Sequence, residues 1–269
     1  MPVVPHPARI EPPDETVVCR FMDFPKFRDL FGNEEIYFRR TDLFKETDPQ
    51  EGLPSDQYVR KARGLAPLLL PDELALNNDQ AFSRQVSEGH FINCWQLFEG
   101  ETLAMWGRYG KGVVIFSRYG LLKIAMNMQL DPIFMGAVRY GEKDMTGYNT
   151  LQFLFTKRRL FEKERELRIV LQCFDPMAGA NRHYDANNFP HREPQAENPL
   201  HNWVHPCKRR RIDLKALVTE IRLSPWATRV EFDEVGWWVK NKNLASPITH
   251  SDCEGPLTPT PEELSNYGF

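Results

Sequence analysis

The sequence predicts a single α+β domain built on a mixed or antiparallel sheet. Short apolar or alternating runs that read as strands interleave with amphipathic runs that read as helices. No repeat recurs along the 269 residues, and no proline-rich linker splits the middle into comparable halves. The expected boundaries are a proline-rich arm over 1–20, the domain over 21–245 with a long irregular loop at 174–207, and a proline-rich tail over 246–269.

Residues 1–13 hold five prolines and no periodicity, which predicts a disordered or draped arm. "FPKFRDLFGN" reads as a short helix, with Pro25 suited to its first turn and Gly32 to its stop. In "EEIYFRRTDLF" the strand period puts Ile36 and Phe38 on one face and Tyr37, Arg39 and Thr41 on the other. Residues 57–88 are helical in composition, interrupted near Pro67 and Pro71. "GHFINCWQLF" predicts an aromatic-rich strand. "ETLAMWGRYG" predicts a helix with Leu103, Trp106 and Tyr109 inward.

"KGVVIFS" follows as a buried strand and "YGLLKIAMNMQ" as an amphipathic helix. "IFMGAVRYG" is a strand whose glycine signals a bulge or a close approach. "TGYNTLQFLFTKRRLFEKE" has helical spacing. From Glu166 the period changes to two, with Leu167, Ile169 and Leu171 on one face of a strand. Residues 174–211 show no periodicity. "LKALVTEIRLSPWA" predicts a short helix and a strand, and "DEVGWWVKNKNL" a last helix or strand.

The composition is 41% hydrophobic and 26% charged, with a net charge of −3. That balance argues against nucleic-acid binding by bulk charge, although a local basic groove stays open. No run approaches the roughly 18 apolar residues of a membrane span. The start, "MPVVPHPARIEPPDE", lacks a signal-peptide pattern, so the expectation is a cytoplasmic protein without membrane contact. The five scattered cysteines read as reduced thiols.

"FEKERELRIVLQ" carries the sharpest question. A strand starting by residue 164 would aim Glu164, Glu166 and Arg168 to one side, where one acid stabilises a developing cation and the other positions a partner or acts as base. In the alternative, residues 162–166 stay helical, with Glu162 and Glu166 on a wet face bridged to Arg158 or Arg165. Arg39 raises a parallel choice between forking onto a phosphate and pairing with a nearby acid.

His201 and His205, with Cys207 close by, have ligand-like spacing. Pro199 and Pro206 crowd the segment, and Asn202 stands where a zinc peptidase needs a glutamate, so no metal is expected. "KRRR" at 208–211 is either a solvated face or a phosphate contact.

In order, Tyr37 with Arg39 and Arg40, "FINCWQ" (91–96), "AMWGRYGKGVVIF" (104–116), "AVRY" (137–140) and "KRRLFEKERELRI" (157–169) resemble the bacterial family catalogued as domain of unknown function 2971. The likeness covers roughly residues 30–175. Trp95 and Gln96 replace its small polar strand ending, and Phe161 stands where a tryptophan is common.

A second, fold-level likeness is to the mono-ADP-ribosyltransferases. They hold NAD with an early-strand arginine or histidine and use a later glutamate at the transition state. The resemblance implies an ADP-ribosyltransferase-like core with NAD as co-substrate, in bacterial defence or toxin systems, acting on a protein or nucleic-acid target. Glu166 would be the charge-stabilising acid, Glu164 its positioning partner and Arg39 the diphosphate clamp. Arg40, Tyr37, Asn93, Trp106 and Tyr109 would line the nucleotide, while Asn93 departs from the expected hydroxyl, leaving Ser83, Ser87 or Tyr109 for that role. The competing expectations are a non-enzymatic interaction module and a metal-dependent nuclease or hydrolase.

Overall fold

A computed structural model describes residues 3–6, 9–46, 48, 52, 89–129, 131–141, 150–173, 182–184, 190–192 and 207–253. The expectations for residues 57–88, for Ser83 and Ser87, and for His201 and His205 lie outside them.

The core is one large mixed sheet of nine strands. β1 (Val17–Met22) runs between β3 (His90–Leu97) and β4 (Val113–Arg118), antiparallel to both. β2 (Glu35–Arg40) pairs β3 on one side and β11 (Cys207–Arg211) on the other. Beyond β4 lie β12 (Glu220–Leu223) and β13 (Ile248–His250), the one parallel pair in this sheet. β8 (Glu166–Gln172) pairs β3 along its length and carries β5 (Ile133–Ala137) at its far edge.

Sequence dictates much of this locally. α1 (Phe24–Asn33) starts where the Asp23 carboxylate accepts the Lys26 amide at 2.9 Å, with Pro25 in the first turn. Phe24, Phe27, Leu30 and Phe31 recur at helical spacing and are buried. Glu34, not Gly32, ends the helix: it takes the left-handed conformation at φ 55° and returns its amide to the Leu30 carbonyl. α2 (Leu103–Tyr109), capped by Thr102, buries Trp106, and α3 (Tyr119–Asn127) buries Tyr119, Leu122 and Met126.

Several expectations change. β1 begins at Val17, inside the segment expected to be an arm, and β13 lies inside the expected tail. The arm is draped along a sheet edge: Val4 donates its amide to Ile133 O, and Ala137 donates to Ile10 O, both at 2.8 Å. This explains Gly136, where a Cβ would sit 2.8 Å from Arg9 Cβ.

Of the helix expected over 146–164, the described residues hold α4 (Thr150–Leu154). The buried Arg168 takes the Leu154 carbonyl at 2.6 Å, and the chain turns into β7 (Thr156–Lys157), which pairs in parallel with β6 (Arg139–Tyr140). Within the span read as irregular, β9 (Arg182–Tyr184) and β10 (Pro190–Arg192) pair antiparallel. "KRRR" lies in β11, where Lys208 and Arg210 are buried, Arg210 on Asp131. α5 (Leu214–Leu217) and α6 (Arg229–Asn241) complete the helices, α6 opening on a reciprocal Thr228–Glu231 capping box.

Candidate functional site: a cleft where the sheet opens

A strand has two hydrogen-bonding edges. β8 occupies one edge of β3 from His90 to Gln96. The other edge is shared: β2 pairs only at Phe91 and Ile92, and β1 only at Gln96 and Leu97. Between them, Asn93, Cys94 and Trp95 have no strand partner on that side. β1 and β2 splay away there, joined by α1, and the opening is a cavity of about 600 Å³. That volume falls within the roughly 300–1,000 Å³ of small-molecule sites.

The cavity collects most of the residues expected at the site. Tyr37, Arg39, Asn93, Tyr109, Glu164 and Glu166 all line it. Arg40 and Trp106 do not, which corrects the expectation for both. Arg40 forks onto Asp42 at 2.7 and 3.0 Å, and Trp106 is buried in a separate cluster, its indole N–H directed at Glu101 and Ser251.

The acids are set by a short loop. A 3-10 turn over Arg159–Glu164 ends at Arg165, whose φ of 42° swings the chain into β8. Glu162 and Lys163 face out, while Glu164 and Glu166 face in. Neither sequence alternative describes this: Glu164 precedes the strand, Arg158 pairs with Asp48 and Arg165 with Glu99.

Glu166 is 4% exposed and fully engaged. Arg168 Nε and Nη2 donate to its two carboxylate oxygens at 2.7 and 3.0 Å, and Lys157 Nζ reaches Oε2 at 3.2 Å. Burial alone would raise its pKa, but Arg168 and Lys157 outweigh that and hold the carboxyl well below the usual range. Burial, and after it the Glu166 carboxylate, push the Cys94 thiol pKa well up. Glu164 is nearer the rim, accepting from Lys157 at 2.6 Å and from Arg108 at 3.4 Å.

Arg39 donates to the Leu43 carbonyl at 2.8 Å and lies over the Phe44 ring. Asn93 has a structural task. Its amide donates to the Tyr37 carbonyl at 2.8 Å, and its oxygen accepts the Trp95 indole N–H at 2.8 Å. The side chain thus ties β2 to β3 where the ladder stops.

Sequence reasoning overlooked Arg20, Lys157, Arg108 and Asp29, which also line the cavity. Arg20 had a signal: a charge inside the apolar run "VVCRFM". Altogether seven cationic and four acidic side chains face the space, a surplus that favours an anionic ligand.

Among the described residues no group of three or more His, Cys, Asp or Glu is placed to hold a metal ion, and no helix is long and apolar enough to cross a membrane. Compared with known proteins, the chain matches no family model, no curated protein and no solved structure.

Proposed function

We propose that the cleft binds NAD or a closely related nucleotide and that the chain is an ADP-ribosyltransferase-like enzyme of the family it resembles. The observation that carries this reading is convergence: Arg39 and the Glu164–Glu166 pair, far apart in sequence, line one cavity. Cleaving the bond between nicotinamide and ribose sends the electron pair out with nicotinamide and leaves positive charge on the ribose. A carboxylate already fixed beside that carbon lowers the barrier without reorganising. The ribose then passes to a nucleophile, either water or an acceptor group on a protein or nucleic-acid target.

The contacts support assigning the acids in the reverse of the expected order. Glu166, with both oxygens held by Arg168 and Lys157, positions Lys157, and Lys157 in turn orients Glu164. Glu164 is then the acid that meets the ligand. Incubated with labelled NAD, the protein should release nicotinamide. Glu164→Gln should slow that release by about 10²-fold or more. Equal turnover in the variant would refute the assignment.

One observation favours a second reading, in which the cleft senses a nucleotide without consuming it: both acids are already ion-paired. The same assay separates the two. NAD binding with no nicotinamide released would establish a binding module.

A further inference from the structure

We propose that Arg20 and Tyr109 form the anion subsite of this cleft and that its ligand presents a phosphate group there. The inference rests on the cleft being the functional site, but it is independent of NAD chemistry, and it moves the phosphate from the β2 side of the opening to the β1 side.

Arg20 is distinguished by what it lacks. The other six cations in the cavity have partners: Arg39 the Leu43 carbonyl, Arg168 and Lys157 the two glutamates, Arg108 the Glu164 carboxylate, Arg209 the carboxylate of Asp29, and Lys26 that of Asp23. Arg20 has no hydrogen bond or ion pair among the described residues. Asp29 acts on it only through space, while both Asp29 oxygens are taken by Arg209 at 3.0 and 2.8 Å. Arg20 stays partly exposed to the cleft, and burial pulls its pKa down.

Tyr109 is the natural second member. It lines the same cavity as Arg20, its ring is held by stacking on Phe21 at 5.9 Å, and its hydroxyl has no hydrogen-bond partner among the described residues. Arg108, Arg20 and Glu164 line the cavity with it, and all three act on the phenol electrostatically. A guanidinium fork and a hydroxyl donor together match a tetrahedral oxyanion. The cationic surplus of the lining suits a ligand with more than one negative charge, so the class expected is a nucleoside diphosphate or its dinucleotide derivatives.

The test uses the full chain and three probes by calorimetric titration: inorganic pyrophosphate, ADP and adenosine. Pyrophosphate and ADP should bind, with adenosine at least about tenfold weaker, as loss of charge-assisted hydrogen bonds implies. Arg20→Gln should weaken pyrophosphate by about tenfold or more, Arg20→Lys by less, and Tyr109→Phe by severalfold. Since Arg20 contributes no internal bond, Arg20→Gln should leave Tm unchanged or higher. Unaltered pyrophosphate affinity in Arg20→Gln, a lowered Tm, or failure of the wild type to bind pyrophosphate and ADP would each overturn the subsite. Pyrophosphate binding with no release of nicotinamide from NAD would instead defeat the proposed reaction and leave the subsite standing.

Discussion

Glu166 illustrates how a residue can sit in a ligand cleft and serve the fold first. Its carboxylate neutralises Arg168, which is 1% exposed, on the face of β8 away from Leu167, Ile169 and Leu171. Removing one partner of such a buried pair strands the other charge, at a typical cost of about 3–5 kcal/mol. Glu166→Gln should therefore lower stability by that order in denaturant titrations, whatever it does to activity.

The pH dependence has a definite sign. Unfolded, Glu166 titrates near 4.5; folded, it titrates lower. Its contribution is thus complete above the unfolded value and disappears as pH falls through the folded one. The wild type should lose stability more steeply on acidification than Glu166→Gln, whose curve lacks this component. Parallel curves would place the pair in solvent. The period-two pattern after Glu166 made the inward face of this residue legible. Its partners were half legible: Arg168 shares that face by parity, whereas Lys157 arrives through a parallel pairing with β6 that no local pattern announces.

At the scale of elements, strands with continuous apolar runs or clean alternation were readable, and β3, β4, β5 and β8 fall where those patterns put them. β1 was missed because five prolines precede it and Arg20 interrupts its apolar run. β11 was missed because four of its five residues are basic. Burying Lys208 and Arg210 there relies on Phe91, Asp131 and the stems of the side chains themselves, all tertiary contacts.

Asn93 shows what replaces a ladder where strands part. One of its two hydrogen bonds joins β2 to β3 and the other holds the Trp95 indole, and Asn93→Ala would leave the Trp95 indole N–H, buried at 1% exposure, without its acceptor. A loss of about 1–3 kcal/mol is expected from thermal or denaturant unfolding. Hydrogen exchange should quicken at the β2–β3 junction before it does at β1–β4. Uniform acceleration would show that Asn93 supports the core generally rather than this junction.

For the molecule as a whole, the decisive feature is that β3 serves two strands on one edge and so leaves a gap. α1 spans the gap, β1 brings Arg20, β2 brings Tyr37 and Arg39, and the turn before β8 brings Glu164. Which residue types would face a ligand was therefore partly visible in the sequence, but the opening itself is a property of pairing register, which composition and periodicity do not encode.

The central claim is that this gap is a ligand cleft for an anionic nucleotide. Amide hydrogen exchange of the full chain with and without saturating NAD tests it most directly. The account predicts slowed exchange concentrated in Arg20–Leu30, Asn93–Gln96 and Lys157–Glu166. Protection confined to other surfaces, or none at any NAD concentration, would contradict it.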